Sequence, residues 1–569
     1  MRENCRIRLH WPRTDDSTPS LPLRVVETYS NLPTEIPDWN NLLIWGDNLY
    51  VLRALLPLFR NAAQFIYIDP PFFTGTAETI DIPRGIKSET SGRGPAPVRD
   101  VAYKNVWVEG NPTASFSQWF YSRARLMRRL LRPTGFLAVR FDYHFGHYAK
   151  MVLDRVFGLN NFLGEILVRR MDKTVSKKAL ATQKHLIVQH DSLFLYRKSP
   201  QARFFEFPAK LAKPDRDPFE SANAQDNLWI DIDGYEKKKK TYYPTENSVA
   251  LLARAIQLCS QEGDLVADFF AGSGTTLYAA ATMNRRWIGA DINRYAINEI
   301  RKRILQYAES TGSFGTPLQI LDVETYRSHV IRAKLYPHDL FASLSVCDYH
   351  KWILDQFEGV PIAGFDSLHG QKGDAYIHIG SLGAPISSPE IEHAMSECEA
   401  TNAPELIVLG WDYCLVPDLV KSLRERAGGV TVDLRIIPES LLHDTTRELP
   451  TFRELPCLEF NVTTDNNKRK VELDFTHYYT SPGQGDQRTD DLDMLDFWAI
   501  DWEYAGHHPL RQQDFSFRRI SSKGRRLGQH AGRHVEHQYE RSGTYTAVIT
   551  LFDILGNVTT ECCHISFLN

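Results

Sequence analysis

The sequence predicts an α/β protein with a mostly parallel, doubly wound sheet. Apolar segments typical of buried strands, such as AQFIYIDP, GFLAVRFDYH and DLVADFF, alternate with amphipathic helical segments between residues 41 and 310. Parallel strands need a crossover connection, so this alternation indicates a parallel sheet with helices on both faces. The 569 residues exceed what one hydrophobic core holds, and we expect about two to four domains.

The elements can be followed in chain order. NLLIW predicts a strand, NLYVLRALLPLF a helix and AQFIYI the next strand, and FSQWFYSRARLMRRLL and HYAKMVLDRVFG predict two further helices. FLGEILVRR and HLIVQHDSLFLYRKS follow as strands. We then expect a helix over 248–259, the strand DLVADFF, a glycine turn with a helix, the strand RRWIGADI and a helix over 294–306.

Composition excludes several classes of protein. A net charge of −4 argues against a wholly basic nucleic-acid binder, although it allows a local basic groove. No apolar run approaches the roughly 18 residues that cross a bilayer, and the first residues lack the apolar core of a signal peptide. We expect a cytoplasmic protein without membrane contact. Eight cysteines without a C-x-x-C pair predict neither a zinc module nor a disulfide framework, so no metal is expected.

Changes in composition divide the chain into parts. The first is a Pro-rich and polar N-terminal arm, the second the large α/β domain, the third a smaller α/β unit, and the fourth a strand-rich, β-sandwich-like domain. Two segments inside the large domain are predicted to be a mobile loop and a short insert. The four parts are 1–40, 41–325, 326–454 and 455–569, and the two inner segments are 76–115 and 200–241.

The first motif, FIYIDPPFFTG, ends an apolar strand in a rigid turn. Asp69 follows the strand, and the rings of Pro70 and Pro71 fix their own φ angles and bias the preceding residue to extended geometry. Phe72 adds an aromatic face. A carboxylate and a ring held in this way are suited to a flat, polar ligand.

The second motif, DFFAGSGTTLYAAATMNRRWIGADI, has the pattern of a nucleoside site. Glycines let the backbone approach a ligand, the helix N-terminus offers free N–H groups, and an acid at the next strand end can bind ribose hydroxyls. A structural tight turn explains a G-x-G pattern equally well. The candidate residues are Asp268, Phe270, Gly272, Ser273, Gly274, Thr275 and Asp291.

Three basic stretches are candidates for DNA contact. The first lies on a helix face, the second in the run YEKKKK and the third in RQQDFSFRRISSKGRR, where aromatic residues are interleaved. Each is also consistent with a solvated surface, which is the simplest interpretation of the lysine run. The candidates are Arg125, Arg128, Arg129, Lys237, Lys238, Arg518 and Arg519.

Taken together, the two motifs resemble those of the S-adenosylmethionine-dependent amino-methyltransferases of DNA. The Asp-Pro-Pro-Phe motif precedes the glycine loop, and this order is similar to that of the β class, which includes the modification subunits of type III restriction systems. GDNLYVL and YYPTEN resemble two further segments of the family. The resemblance implies a Rossmann-like methyltransferase domain over 41–325 with a seven-stranded sheet.

The resemblance also implies roles for individual residues. Asp69, Pro70, Pro71 and Phe72 would hold a base flipped out of the duplex, with the loop 76–115 closing over it. Asp47 and Thr245 would join the second motif around S-adenosylmethionine. Expected partners are double-stranded DNA, a helicase-nuclease restriction subunit and a second copy of the chain.

The sequence departs from the family pattern at several positions. Phe72 stands where Tyr is usual, Phe269 replaces a Pro, and Asn247 replaces the Lys after YPT, which we expect to alter donor affinity. The segment 200–241 is short for a target-recognition region. Sequence readout would then fall to the C-terminal region or to a partner chain.

Several functions remain open at this level. The first is transfer to adenine N6, which an Asp at the start of the motif favours; cytosine N4 enzymes of this class more often carry Ser there. A second is a catalytically weak DNA-binding scaffold in a defence complex. Methylation of RNA or of a protein glutamine is a third, which typically uses a motif that begins with Asn and follows the glycine loop.

Overall fold

The fold is known from a computed structural model, which describes most but not all of the chain. Side chains within 77–82 and 98–104, and those of a few single residues elsewhere, are not described. The described residues are 22–29, 39–71, 77–82, 98–104, 112–170, 188–205, 227–229, 231–236, 246–311, 316–323, 326–336, 344–382, 384–415, 429–442, 452–479, 492–505, 510–518, 531–554 and 558–567.

The first 336 residues contain twelve strands and seven helices among the described residues. The strands are β1 (Leu23–Tyr29), β2 (Asn41–Trp45), β3 (Ala63–Ile68), β4 (Ala77–Ile82), β5 (Val98–Lys104), β6 (Leu131–Phe141), β7 (Phe162–Arg169), β8 (His190–Arg197), β9 (Leu228–Trp229), β10 (Leu265–Asp268), β11 (Arg286–Asp291) and β12 (Leu318–Val323). The helices are α1 (Asn48–Phe59), α2 (Pro112–Leu130), α3 (Gly146–Phe157), α4 (Val249–Cys259), α5 (Thr275–Thr282), α6 (Arg294–Thr311) and α7 (Tyr326–Leu335).

The described residues beyond 336 add two helices and sixteen strands. The helices are α8 (Val346–Phe357) and α9 (Ser388–Ala400). The strands are β13 (Val360–Pro361), β14 (Gly370–Lys372), β15 (Ala375–Ile379), β16 (Ile386–Ser387), β17 (Glu405–Gly410), β18 (Tyr413–Cys414), β19 (Thr431–Ile436), β20 (Arg453–Glu454), β21 (Cys457–Asp465), β22 (Lys470–Tyr479), β23 (Leu495–Asp501), β24 (Leu510–Gln512), β25 (Asp514–Phe517), β26 (His534–Gln538), β27 (Gly543–Asp553) and β28 (Val558–Phe567).

The main sheet is mostly parallel and is wound on both faces. Its strand order is β24-β1-β12-β2-β11-β10-β3-β6-β8-β7-β9, and the six strands from β12 to β6 run parallel. Alternate strand residues enter different cores: Ile66 and Ile68 pack with α1, α2 and α3, whereas Phe65 and Tyr67 pack with α4, α5 and α6. The predicted doubly wound α/β architecture is therefore what the chain forms.

The predicted count of seven strands is too low, because distant segments extend both edges of the sheet. At one edge β1 pairs antiparallel with β12 and parallel with β24, so residues 23–29 of the expected arm form a strand. At the other edge β8 and β7 follow β6, and β9, from the segment 200–241, pairs with β7. An unpaired edge strand exposes N–H and C=O groups, which these additions satisfy.

The segment 76–115 is more regular than its composition suggested. β4 and β5 pair as an antiparallel two-stranded sheet, and α2 begins at Pro112 rather than at Phe116. Proline is favoured in the first turn of a helix because its missing N–H has no intrahelical partner there. The described parts of this segment are therefore a hairpin and a helix start.

The third part of the chain carries its own sheet. β15, β17 and β19 run parallel, and short antiparallel strands flank them in the order β13-β14-β15-β17-β19-β20. β16 and β18 form a separate parallel pair. In the fourth part, the sheets β21-β22-β26 and β25-β23-β27-β28 share one core that includes Trp498 and Trp502.

Both C-terminal parts are joined to the main domain by buried or half-buried ion pairs. Asp496, at β23, lies 2.6 Å from the ammonium of Lys302 and accepts a hydrogen bond of 2.9 Å from Asn298, both on α6. In the third part, Asp412 pairs with Arg294 and Arg327. Among the described residues, no helix is both long and apolar enough to cross a membrane.

Candidate functional site

The predicted site residues meet at one edge of the main sheet. Asp69 follows β3 and Asp268 ends β10, and these two strands are parallel neighbours with Phe65 opposite Val266. β11 pairs with β10 in the same direction and ends at Asp291. Because the strands are parallel, the carboxyl ends bring all three acids to the same side, as ligand sites of open α/β sheets require.

Asp69 presents one occupied and one free oxygen. Its Oδ2 accepts a hydrogen bond of 3.0 Å from the side-chain amide of Asn247. Its Oδ1 is buried and has no hydrogen-bond partner within the described part of the chain. Burial raises the pKa of Asp69 to about 6, against the opposing effects of the Arg140 charge and the Asn247 hydrogen bond. A buried acceptor without a partner is costly unless a ligand satisfies it.

Behind Asp69 lies a buried ionic network. The guanidinium of Arg140 donates to the amide oxygen of Asn247 and lies 2.7 Å from the carboxylate of Asp191. Asp191 also accepts from the Nε of Arg170 at 2.6 Å and from the hydroxyl of Tyr235 at 3.1 Å. Charges buried in this way are stable only when they are paired and hydrogen-bonded.

The glycine turn is organised by Asp268. One carboxylate oxygen accepts from the N–H of Phe270 at 3.0 Å, and the other accepts from the hydroxyl of Thr276 at 2.6 Å. Burial raises the pKa of Asp268 to about 7 in spite of these two hydrogen bonds. Gly272 and Gly274 have φ angles of 51° and 73°, in the left-handed region that favours glycine. The turn therefore leads directly into the N-terminus of α5.

Asp291 supports the same turn from the next strand. Its two oxygens accept from the backbone N–H groups of Gly272 and Asn293, each at 2.8 Å. Burial raises the pKa of Asp291 to about 6, which these backbone hydrogen bonds partly oppose. The carboxylate predicted to bind ribose thus also fixes the glycine turn.

Asp47 has a structural role in the described contacts. It accepts from the N–H of Leu49 at 2.7 Å as the N-cap of α1, and it lies 2.9 Å from the guanidinium of Arg123. Arg123 lies over the ring of Trp119, which meets Phe270 edge to face at 5.6 Å. The site therefore has an aromatic wall as well as carboxylates.

Sequence reasoning missed a second buried arginine in this region. Arg303 on α6 pairs with Glu246 at 2.9 Å and donates to the Ser273 carbonyl at 3.2 Å and to the Thr275 hydroxyl at 3.0 Å. Arg303 therefore ties the glycine loop to the segment before Asn247. The sequence contained only weak signals for these buried arginines. For Arg140 the signal was a single arginine within the apolar strand LAVRF, and for Arg303 it was the presence of charged residues on the inward face of α6.

Some of the remaining predicted site residues lie beside Asp69 or in the glycine loop, and others lie outside the described part of the chain. Pro70 is buried and Pro71 half-buried beside Asp69. Ser273 and Thr275 are buried, and their hydroxyls lie 3.1 Å apart. The residues outside the described ranges are Phe72, Thr245, Lys237, Lys238 and Arg519.

The prediction that Arg518 contacts DNA is wrong for this structure. Its side chain is only 1% exposed, and its Nε and Nη2 donate to the carbonyl of Leu495 at 3.2 and 3.0 Å. Arg518 directly follows β25, and its backbone N–H donates to the carbonyl of Asp496 beside the start of β23, which keeps this residue inside the protein. A buried guanidinium cannot reach a phosphate.

The basic face of α2 lies at the wrong edge to contact DNA beside Asp69. The carbonyl of Arg129 accepts from the N–H of Asn61, just before β3 begins, so this end of α2 is at the amino edge of the sheet. Arg129 is exposed, whereas Arg125 and Arg128 are half-buried over the rings of Tyr121 and Phe157. Asp69 follows the opposite end of β3.

A cavity of about 770 Å³ lies in the third part of the chain. Its lining includes three neighbouring imidazoles, and the rings of His350 and His369 are 3.9 Å apart. Burial lowers the pKa of His350 to about 4 and that of His369 to about 3. None of the residues that line it lies on a strand of the main sheet.

Comparison with known proteins identifies the domain that carries this edge. Residues 63–302 match the family model N6_N4_Mtase, described as DNA methylase. These residues are similar to DNA methylases of the N6/N4 type. The match spans Asp69 and the whole glycine loop and covers less than half of the 569 residues.

The similar proteins include a type II methyltransferase and a modification subunit of a type III restriction-modification enzyme. The type II methyltransferase M.EcaI of Enterobacter cloacae is 24% identical over 383 residues, which is 54% of this chain and 80% of M.EcaI. The Mod subunit of the type III enzyme StyLTI of Salmonella typhimurium is 21% identical over 353 residues, 47% of this chain and 53% of that subunit. The chain thus spans about half of the Mod subunit.

Solved structures match the chain only weakly. A DNA modification methylase from Thermus thermophilus, complexed with S-adenosyl-L-methionine, is 19% identical with a TM-score of 0.33. The match covers 50% of this chain and 98% of that one.

S-adenosylmethionine is the methyl donor of this family, and the residues at the edge fit it. The left-handed turn at Gly272 and Gly274 brings backbone N–H groups and the α5 N-terminus to the carboxyl edge. The carboxylate of Asp291 offers an acceptor for hydroxyls, and the ring of Phe270 offers a face for a cation, whereas the ring of Trp119 already carries the Arg123 guanidinium. These residues would hold the donor.

Proposed function

We propose that this chain is a DNA methyltransferase that transfers a methyl group from S-adenosylmethionine to the exocyclic N6 of adenine. One observation carries the proposal: the buried, unpartnered Oδ1 of Asp69 lies at the same sheet edge as the Gly272 turn among the described residues. A carboxylate oxygen that lacks a partner, at the sheet edge where the donor would bind, is suited to accept a hydrogen bond from a substrate.

The chemistry assigned to the chain's own residues is activation of a weak nucleophile. The lone pair of an exocyclic amine is delocalised into its ring. Hydrogen bonds from the two amine hydrogens to Asp69 and to the Pro70 carbonyl would draw the nitrogen toward tetrahedral geometry and make the pair available. The bound donor supplies an electrophilic methyl group on a sulfonium. Phe72 would stack on the base.

Adenine is preferred over cytosine because of the first residue of the motif. The resemblance associates Asp at this position with adenine N6 and Ser with cytosine N4. The target base must leave the duplex, at a cost of a few kcal/mol, before it can reach a buried carboxylate. We assign closure over the extruded base to the segment 76–115.

The biological role we propose is modification of DNA within a restriction or phage-defence system. The similarity to M.EcaI and to the StyLTI Mod subunit supports this role. The partners would be double-stranded DNA, a helicase-nuclease subunit and a second copy of the chain. Loss of the protein without a change in phage sensitivity would count against the defence role.

A transfer assay with labelled donor tests the proposal. DNA, RNA and total protein are offered in parallel, and donor binding is followed by calorimetry. We expect label in DNA alone and saturable donor binding. A protein that binds DNA but no donor would be a scaffold instead, and label in RNA or protein would contradict the assigned substrate.

A further inference from the structure

We propose that Asn247 and Arg140 are positioning residues that hold the Asp69 carboxylate, so that Oδ2 is occupied and Oδ1 is left for the substrate amine. This inference rests on the proposed function and extends it to two residues from distant segments of the chain. The sequence pattern had associated Asn247 with donor affinity. Its only described side-chain partners are instead Asp69 and Arg140.

The amide of Asn247 has a single favourable orientation. Its oxygen accepts from the guanidinium of Arg140, and its Nδ2 donates to Asp69 Oδ2 at 3.0 Å. Turning the amide over would set NH₂ against guanidinium N–H groups and oxygen against a carboxylate, and both contacts are repulsive. Because the Nδ2 donor of Asn247 has a fixed direction, the carboxylate oxygen that it contacts is held at a fixed position. The other oxygen, Oδ1, is then left for the substrate.

Arg140 is itself held rigidly. Its side chain is fully buried, and its guanidinium lies 2.7 Å from Asp191, donates to the Gly234 carbonyl at 3.0 Å and stacks 4.3 Å from the ring of Tyr235. A Cβ at position 234 would come within 2.7 Å of Arg140 Nη2, so only glycine permits this approach. Held on three sides, the arginine supports Asn247 without moving.

The pair also affects the ionisation of Asp69. Burial raises the pKa of Asp69 to about 6, while the Arg140 charge and the Asn247 hydrogen bond lower it. Removing the amide donor therefore raises this pKa further, and the carboxylate becomes protonated at a higher pH. The other titratable or charged groups that influence Asp69 are Tyr67, Arg170, Asp191, Tyr235 and Asp268.

Two variants separate positioning from a merely structural role. Asn247→Ala removes both hydrogen bonds. Asn247→Asp keeps an acceptor for Arg140 but cannot donate to Asp69 when ionised, and it adds a negative charge beside that carboxylate. If Asn247 served only as a partner for Arg140, the Asp variant would behave like the wild type. The positioning role predicts that the Asp variant is the worse of the two.

The first measurement is the pH profile of single-turnover transfer at saturating donor and DNA. We expect Asn247→Ala to slow transfer about tenfold to a hundredfold, the effect of one hydrogen bond to a charged group. Its acid limb should move up by about one pH unit, and that of Asn247→Asp should move further. Donor affinity by calorimetry should be unchanged. The control is Asn161→Ala. This variant also removes an amide hydrogen bond, in this case one donated to the carbonyl of Phe157 at the C-terminal end of α3.

The second measurement needs no turnover. An infrared pH titration of the protein without donor follows the carboxyl band of Asp69, identified by its loss in Asp69→Ala. The midpoint should rise in Asn247→Ala. An unchanged midpoint and acid limb, wild-type behaviour of Asn247→Asp, or tenfold weaker donor binding with an unchanged saturated rate would each overturn the inference. A shifted midpoint in a protein that transfers no methyl group would refute the proposed function while supporting the Asn247 contact.

Discussion

Three carboxylates at the carboxyl edge differ in what their oxygens contact. Asp268 and Asp291 have both oxygens engaged by groups of the glycine turn or its neighbours, whereas Asp69 keeps one oxygen without a partner among the described residues. Because each carboxylate oxygen has two lone pairs, Asp291 can still accept from a ligand hydroxyl, but of the three only Asp69 has an oxygen that no group in the described part of the chain satisfies. This difference, rather than sequence position, separates the supporting acids from the candidate catalytic acid.

Asp268 should make the stability of the domain depend on pH. Its pKa is about 7 in the folded chain against an ordinary value of 3.8, so between these values the folded state binds a proton that the unfolded state lacks. The free energy of unfolding of the wild type, relative to Asp268→Asn, should then fall as pH rises, by up to about 1.4 kcal/mol per unit, and level off above pH 7.

Urea denaturation of both proteins at several pH values measures this difference. Thr276→Val removes a hydrogen bond that lowers the pKa of Asp268, so in this background the decline should extend to higher pH. Parallel curves for wild type and Asp268→Asn would show that Asp268 does not carry the effect.

The glycine turn and α6 form one packed unit at the element scale. A Cβ on Gly274 would lie 2.6 Å from Cγ1 of Ile300, at a φ angle of 73° that also strains other residues. Gly263 has a similar φ of 76°, yet its Cβ would meet nothing within 4 Å. The two glycines therefore share a φ angle that disfavours other residues, but only Gly274 is packed closely against another side chain.

Gly274→Ala should weaken donor binding, and Gly263→Ala should not. Both variants carry backbone strain of about 1–2 kcal/mol, but only the first displaces the turn from α6. We expect the donor dissociation constant to rise about tenfold or more, equivalent to at least about 1.4 kcal/mol. Calorimetric titration of the two variants measures it, and equal affinities would rule out the packing argument.

At this scale the sequence predicted local features better than distant pairings. The strands around Asp69 and Asp291 were evident because apolar runs end in chemically distinctive residues. The pairing of β1 with β24 and the hairpin β4–β5 were not, since short polar segments acquire strand structure from their neighbours. The contact of Asn247 with Asp69 joins residues 178 positions apart, which no local pattern reveals.

The whole molecule is held together by charges as well as by its cores. Asp496 of the fourth part pairs with Lys302 of α6, and both side chains are almost fully buried. Glu27 of β1 likewise lies 2.7 Å from Arg301 on the same helix. The helix that packs against the glycine turn is thus also the helix that anchors the C-terminal part.

Asp496→Ala should destabilise the protein by roughly 3 kcal/mol, because it leaves the buried Lys302 with less compensation. Chemical denaturation measures the change. The control is Asp465→Ala, where a half-exposed carboxylate lies 3.8 Å from Lys468 and accepts from the backbone N–H groups of Asn467 and Lys468, so its loss should alter stability by about 1 kcal/mol. Equal effects for the two variants would contradict an anchoring role for the buried pair.

Mass spectrometry of nucleosides tests the central claim most directly. DNA treated with the protein and S-adenosylmethionine is digested and compared with DNA treated with Asp69→Ala. We expect N6-methyladenine with the wild type and none with the variant, whose donor binding is retained. N4-methylcytosine would contradict the base assignment, and equal modification by both proteins would contradict the role of Asp69.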